Sequence, residues 1–264
     1  MITVDHCTKY FHRGSVNEVL ALNDIDLSVA NGDFITVIGS NGAGKSTLLN
    51  ALAGSFFLDS GSITIGQLNV TRWPEYKRAK LLARVFQDPL LGTCPSATLE
   101  QNMALALRRG KRRGLGPGVR SGDRDLFSSE LAKIGLGLEN RLQDRVGLLS
   151  GGQRQALTML MATLVRPEVL LLDEHIAALD PKTAGQILAL TREIVADQGL
   201  TTLMITHNMK HAIEFGNRLI MLHQGRIILD VSGEKKSSLS VDDLLEQFYK
   251  AQGEELANDS MLLT

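Results

Sequence analysis

A glycine-rich loop between an apolar segment and a helical segment constrains the fold of this chain more than any other feature. Phe34–Ile38 has strand character, and residues 45–53 have helical character. Glycines between them let the backbone curl closely, so that successive N–H groups face inward and a helix start adds positive charge. The sequence therefore predicts a phosphate-binding loop made of Gly39, Ser40, Asn41, Gly42, Ala43, Gly44, Lys45, Ser46 and Thr47.

Two side chains of this loop suggest which phosphate compound it holds. In a loop of this pattern Lys45 brings its charge to the β- and γ-phosphates of a nucleotide, and the Ser46 hydroxyl ligates Mg²⁺. We therefore expect ATP and Mg²⁺ as the bound species.

A second candidate site follows the apolar strand that we expect at residues 169–172. Ligands of an open parallel sheet bind at the carboxyl ends of its strands, and Asp173 and Glu174 come directly after this strand. Two adjacent carboxylates are costly to bury without a cation or a partner. Asp173 suits Mg²⁺ coordination, and Glu174 suits polarising the water that attacks the γ-phosphate.

Apolar strands alternate with helices along most of the chain, which predicts an α/β fold with a parallel sheet covered on both faces. Strands dominate the N-terminal stretch, and a mostly helical lobe is inserted at about residues 88–160. Thr98–Gln101 has the pattern of a capping box, which predicts a helix through Leu107. Further helices are expected at 124–134, 152–164, 181–197 and 241–251, and further strands at 2–5, 20–29, 62–65, 201–205, 218–223 and 226–230.

Composition limits the classes of partner and compartment. The net charge of −1 and the pI near 6.6 lack the basicity typical of nucleic-acid binding, so no nucleic-acid partner is expected. No apolar run approaches the roughly 20 residues that span a bilayer. Cys7 and Cys94 lie far apart, without metal-ligand spacing, which favours reduced thiols in a cytoplasmic protein.

A third motif places a serine and two glycines at the start of a helix, which makes a second anion site. The motif is Leu149-Ser150-Gly151-Gly152-Gln153, and Ser150 lies 105 residues after Lys45. In sequence and spacing it resembles the signature of the nucleotide-binding subunits of ATP-binding cassette (ABC) transporters. The resemblance covers essentially residues 2–231 and implies the ABC ATPase fold, a P-loop NTPase core with an N-terminal antiparallel β lobe and an inserted helical lobe. We expect this domain at residues 1–233 and a short C-terminal helix and tail at 234–264, fraying after Gly253.

The resemblance also assigns roles to residues that would otherwise look like solvated loop. Gln87 matches the glutamine that senses Mg²⁺ and water, and His207 matches the histidine that contacts the γ-phosphate. Asp180, in Ala178-Leu179-Asp180, matches the loop that crosses to a partner subunit. An aromatic ring stacks on adenine in this family, and both Phe11 and Tyr10 stay candidates here.

One position departs from the family pattern. Many relatives have Pro-Thr after the catalytic glutamate, whereas this chain has His175-Ile176. Neither position is a required phosphate or metal ligand, so the expectation of hydrolysis stands. No chemistry is assigned to His175.

The family resemblance implies a head-to-tail dimer of two copies, in which Gly39–Thr47 of one subunit and Ser150–Gly152 of the other enclose ATP. It also implies membrane-spanning permease subunits, docked near Gln87 and residues 88–98, and a location on the cytoplasmic face of the membrane. The motifs resemble those of cassettes that work with lipoprotein-type substrate-binding proteins for amino acids, aromatic ones among them. We therefore expect import of a small solute.

Several alternatives stay open or are excluded. A chromosome-maintenance ATPase would place long coiled coils between Gln87 and Leu149, but only 62 residues separate these two and no heptads occur. A P-loop kinase or GTPase lacks the Leu149–Gln153 motif. An exporter subunit and a cytosolic cassette for cofactor assembly remain. The run Arg108–Arg124, with seven Arg or Lys and one Asp, is either a solvated loop or a contact to anionic lipid.

Overall fold

The computed structural model describes residues 1–111 and 114–262, so Arg112 and Arg113 of the basic run lie outside the described residues. In chain order the elements are β1 (Ile2–Phe11), β2 (Val19–Val29), β3 (Phe34–Gly39), α1 (Lys45–Ala53), β4 (Ser60–Ile65), β5 (Leu68–Asn69), α2 (Glu75–Arg78), β6 (Leu82–Val85), α3 (Leu99–Leu107), α4 (Ser121–Ile134), α5 (Gly151–Thr163), β7 (Val169–Asp173), α6 (Pro181–Gln198), β8 (Thr201–Ile205), α7 (Met209–Glu214), β9 (Arg218–His223), β10 (Arg226–Ser232), α8 (Gly233–Ser237) and α9 (Val241–Leu262).

The first of two compact units comprises Met1–Pro74 and Leu203–Thr264. It contains a four-stranded sheet of order β2-β1-β4-β5, in which β1 is antiparallel to both β2 and β4. Its other strands follow the order β10-β9-β3-β8, with β3 parallel to β9 and β9 antiparallel to β10. The N-terminal antiparallel lobe predicted from the sequence is therefore confirmed.

The second unit, Glu75–Thr202, contains the helical region and the strands β6 and β7. Strands β6 and β7 are parallel, with Val85 opposite Leu172, so their carboxyl ends lie at the same edge. Helices α3, α4 and α5 pack around a buried apolar cluster that includes Met103, Phe127 and Leu157. The predicted capping box starts α3, since the Thr98 side chain accepts from the Gln101 backbone N–H.

The predicted bounds hold within a few residues at most elements, and α1 agrees at both ends. Two elements extend well beyond their predicted ends, by six or more residues. Strand β1 continues past Asp5 to Phe11 because an irregularity at His6, with φ 47°, lets pairing resume with new register. Helix α9 continues through Gly253 to Leu262, so the predicted end at Ala251 is wrong. The bounds of the ATPase domain stay a prediction.

Among residues 1–111 and 114–262, no helix combines the length and apolar character needed to cross a membrane.

Candidate functional site

The glycine loop in the first unit follows β3 and leads directly into α1. Lys45 is 5% exposed, and its Nζ donates hydrogen bonds to the carbonyl oxygens of Gly39 and Ser40, both at 2.8 Å. The Ala43 N–H closes a turn onto the Ser40 oxygen at 3.2 Å. The loop therefore wraps around the lysine ammonium, which concentrates positive charge where the sequence predicts phosphates.

Two positions of this loop require glycine for steric reasons. Gly39 has φ 148°, and a Cβ there would lie 2.2 Å from the Leu222 carbonyl oxygen. Gly44 has φ 99°, and its Cβ would lie 2.5 Å from the Ala21 carbonyl oxygen. Both obstacles are backbone atoms that cannot rotate away. The loop shape therefore depends on the absence of these two side chains.

His207 lies in the same unit as the loop, two residues after β8. Strands β8 and β3 are neighbours, and the Thr206 N–H donates to the Val37 oxygen at 3.2 Å. His207 is exposed, as is Ser46 at the start of α1. The first unit thus brings the phosphate loop and His207 to the ends of adjacent strands.

The acidic pair lies in the second unit, where Asp173 is the last residue of β7. Arg84, on the neighbouring strand β6, donates from Nη2 to Asp173 Oδ2 at 2.5 Å. Both side chains are largely buried, 12% and 14% exposed. Glu174 turns the chain with φ 47°, in the left-handed region, and its carbonyl accepts from the Ala177 N–H at 3.0 Å. The carboxylates therefore stand on a tightly held turn at the strand end.

Gln87 follows β6 and is exposed, so it shares the carboxyl edge of the β6–β7 pair with Asp173 and Glu174. The residue before it, Phe86, is held twice. Its carbonyl accepts from Gln155 Nε2 of α5 at 3.4 Å, and its ring lies 4.6 Å below the Arg84 guanidinium. Through Phe86, the segment that carries Gln87 therefore contacts both α5 and Arg84, the ion-pair partner of Asp173.

The third motif is the start of α5. Ser150 caps the helix in a reciprocal box, in which its Oγ accepts from the Gln153 N–H and its own N–H donates to Gln153 Oε1, both at 3.2 Å. Gly152 is buried, and a Cβ there would lie 2.2 Å from Thr183 Cγ2 of α6. The Thr183 N–H also donates to Asp180 Oδ1 at 3.1 Å. Thr183 therefore contacts both Asp180 and Gly152 of the third motif.

The two aromatic candidates for adenine stacking have different surroundings. The Phe11 ring packs edge-on against Phe56, with centroids 5.4 Å apart, and Lys9 Nζ lies 5.7 Å from it. The Tyr10 ring lies 5.1 Å from the Arg13 guanidinium. Both rings are partly buried, and the choice between them stays a prediction.

Two side chains that shape the acidic turn are not predicted from the sequence. Arg84 lies on β6, for which no strand was predicted from the sequence, although a charge among apolar residues signals a buried partner. His175 is 2% exposed, and burial lowers its pKa to about 4. Its Nε2 lies 3.1 Å from Thr191 Oγ1 on α6. No pattern in the sequence indicates that contact.

Known proteins resemble this chain over most of its length. The family model described as ABC transporter matches residues 22–177. A tyrosine transport ATP-binding protein of Clostridioides difficile (strain R20291) is 45% identical over 251 residues, which cover 95% of this chain and 100% of that protein. The thiamine import ATP-binding protein ThiQ of Chelativorans sp. (strain BNC1) is 38% identical, with 78% of each chain covered.

Solved structures show the same fold. A dimeric ATP-binding cassette in a post-hydrolysis state, bound to ADP and Pi, has a TM-score of 0.75 at 27% identity and covers 88% of this chain and 98% of that one. The architecture with a phosphate loop, the extent of the family match and these relatives agree. The chain belongs to the ABC transporter family as an ATP-binding subunit, and it is an ATPase.

Proposed function

We propose that this chain hydrolyses ATP to power the import of a small solute of the aromatic amino acid class, through a separate permease. The tyrosine transport protein of Clostridioides difficile, aligned over its whole length, supports this cargo. Two relatives named for methionine and thiamine import support the direction. The observation that carries the hydrolytic role is the Glu174 turn, which presents a carboxylate at the end of a buried strand.

The phosphate loop would bind the nucleotide through its backbone N–H groups and Lys45. The Nζ of Lys45 already lies within hydrogen-bond distance of two loop carbonyls, so phosphate oxygens inside the loop would meet a cation in place. Helix α1 begins at this lysine, which adds the positive end of the helix dipole. One ring, Phe11 or Tyr10, would cover the adenine.

The donor groups predicted for Mg²⁺ fit that ion. They are the Ser46 hydroxyl, the Gln87 amide oxygen and the Asp173 carboxylate, all hard oxygen ligands of the type that Mg²⁺ prefers. Asp173 can offer Oδ1 for this purpose, because Arg84 bonds to Oδ2. A bound Mg²⁺ would neutralise charge that develops on the phosphates.

Glu174 would accept a proton from the water that attacks the γ-phosphate, with Gln87 and His207 orienting water and phosphate. A carboxylate suits this role when it is held rigidly, because correct placement supplies much of the rate enhancement. The strand on one side of Glu174 and the buried His175 on the other hold it in that way.

Two copies would close head-to-tail over two ATP molecules, each supplying Ser150, Gly151, Gly152 and Gln153 to the nucleotide of the other. Asp180 would cross the interface beside the same motif, since both are tied to Thr183. The dimeric state of the solved ADP-bound relative supports this assembly. Permease subunits would hold the dimer at the cytoplasmic face of the membrane, and a substrate-binding protein would deliver the solute.

Uptake of radiolabelled tyrosine tests the proposal. A strain that lacks this chain should lose uptake, the wild-type chain should restore it, and Glu174→Gln should not. Glu130→Gln, the same substitution on α4, serves as the matched control and should restore uptake fully. Unchanged tyrosine uptake in the deletion strain would contradict tyrosine as the imported solute. Co-purification of this chain with a soluble scaffold alone would favour the alternative of a cytosolic cassette for cofactor assembly.

A further inference from the structure

The residue after the proposed general base is buried although it is polar and titratable. Glu174 has a left-handed backbone, which is unfavourable for a residue with a Cβ and persists only where neighbours enforce it. His175 follows directly and is 2% exposed. His175 is not a phosphate or metal ligand in this family, so neither role explains why it is buried.

The hydrogen bond between His175 and α6 has a direction that can be worked out. Thr191 Oγ1 donates its proton to the Ile187 carbonyl oxygen at 2.8 Å. The same oxygen lies 3.1 Å from His175 Nε2, so we assign the proton of this bond to Nε2, which makes the imidazole the donor. Among the described residues, the other ring nitrogen, Nδ1, is buried without a hydrogen-bond partner. The ring therefore makes one directed bond to the protein.

Thr191, the partner in this bond, lies on a long and well-capped helix. Helix α6 is 18 residues long, begins at Pro181 with Asp180 as its N-cap, and ends at Gln198 with Gly199 as its left-handed C-cap. Thr191 is fully buried in it. On the other side of Glu174, Asp173 pairs with Arg84. The strained residue thus stands between two neighbours that are each tied to a different element.

We propose that His175 is a positioning residue for ATP hydrolysis, which holds the Glu174 carboxylate in place through its bond to Thr191. The inference rests on the proposed role of Glu174 as general base. His175 touches neither nucleotide nor water in this role, and it acts only by restricting the turn. Its loss should therefore slow the chemical step and leave ATP binding nearly unchanged, because the phosphate loop belongs to other elements.

Four single variants separate a positioning role from a general packing role. His175→Leu fills a similar volume without a donor, and Thr191→Val keeps the shape of threonine without an acceptor. The matched controls are His175→Gln, whose amide N–H reaches to about the position of Nε2, and Thr191→Ser, which keeps the hydroxyl. Each is purified as the full chain, and its melting temperature is recorded.

The readouts are the affinity for a fluorescent ATP analogue, the KM for ATP and the kcat of hydrolysis. We expect His175→Leu and Thr191→Val to lower kcat about tenfold, within the range seen for residues that orient a catalytic group, with KM changed less than twofold. His175→Gln and Thr191→Ser should recover most of the rate. The double variant His175→Leu/Thr191→Val should be no slower than Thr191→Val or His175→Leu, whichever is slower, because both changes remove the same bond between His175 and Thr191.

A normal kcat in folded His175→Leu or Thr191→Val overturns the proposal. So does a loss of rate that the Gln and Ser variants share, since that pattern reports packing alone. Thr191→Val keeps the test valid if the leucine variant does not fold. Glu174→Gln is measured alongside: normal hydrolysis by that variant refutes the base assignment, whereas its inactivity with a normal His175→Leu refutes only the positioning role.

Discussion

In two places in this protein, a turn with a left-handed backbone follows a buried strand. The two turns use opposite kinds of residue to adopt this backbone. The phosphate loop after β3 uses glycine, with φ 148° at Gly39 and 99° at Gly44. The acidic turn after β7 uses glutamate, with φ 47° at Glu174. Glycine adopts such angles at little steric cost, whereas a residue with a Cβ is strained by roughly 1–2 kcal/mol.

The difference follows from what each turn presents. The loop offers backbone N–H groups, so side chains there would only obstruct, and two of its glycines face backbone oxygens closely. The proposed role of the acidic turn requires a carboxylate, which explains why a residue with a side chain occupies this strained position. Neighbouring contacts then have to hold it, and Arg84–Asp173 and His175–Thr191 are the contacts that do so.

The largest effect is expected from adding one methyl group to the loop. Gly39→Ala places a Cβ 2.2 Å from the Leu222 oxygen, so overlap and strain together should cost on the order of 4 kcal/mol and abolish ATP binding. Gly32→Ala is the control, because it has φ 79° but no atom within 4 Å of the added Cβ. It should cost about 1–2 kcal/mol and spare ATP binding. Chemical denaturation and a fluorescent ATP analogue measure both, and equal losses would refute the steric explanation.

The next effect concerns the support of the acidic turn. Arg84→Met keeps an apolar stem near Phe86 but leaves the largely buried Asp173 carboxylate without its cation. We expect a loss of about 2–3 kcal/mol in the free energy of unfolding, somewhat below the value for a fully buried pair. Arg141→Met breaks the more exposed pair with Asp144 and should cost less than about 1 kcal/mol. Urea denaturation measures the free energy of unfolding of both variants. Similar losses would show that the buried Arg84–Asp173 pair stabilises the protein no more than the exposed Arg141–Asp144 pair.

The smallest effect is expected from relieving the backbone strain at Glu174. Glu174→Gly and Glu174→Ala remove the same carboxylate, but only glycine relaxes the left-handed backbone. The glycine variant should therefore be more stable than the alanine variant by about 1 kcal/mol, although both lose hydrolysis. Thermal and urea denaturation of the pair tests this. A more stable alanine variant would mean that the turn is not strained in the native protein.

The sequence predicted the loop, the strand before it and helix α1 because glycine spacing and apolar runs encode local conformation directly. It predicted the cap of α3 at Thr98 for the same reason. It did not predict that β1 passes the irregularity at His6, since resumed pairing depends on partner strands far along the chain.

The site shows the same division. The residue types of Lys45 and Glu174, close to the ends of expected strands, are enough to propose their chemistry. The supports of the acidic turn were not predictable, because Arg84 lies 89 residues from Asp173 and Thr191 lies 16 residues from His175. Periodicity assigned Thr191 to a helix but predicted no strand at Arg84, and it does not indicate which distant side chain either residue contacts.

The proposed mechanism depends most on Glu174, which would turn a bound ATP into a hydrolysed one within a closed pair of subunits. Light scattering of Glu174→Gln with ATP and Mg²⁺, with phosphate release measured in the same sample, tests this role. We predict a stable dimer with no released phosphate, and monomers only when Lys45→Ala is added to block nucleotide binding. Phosphate release by Glu174→Gln at the wild-type rate would contradict the role of Glu174 as the base.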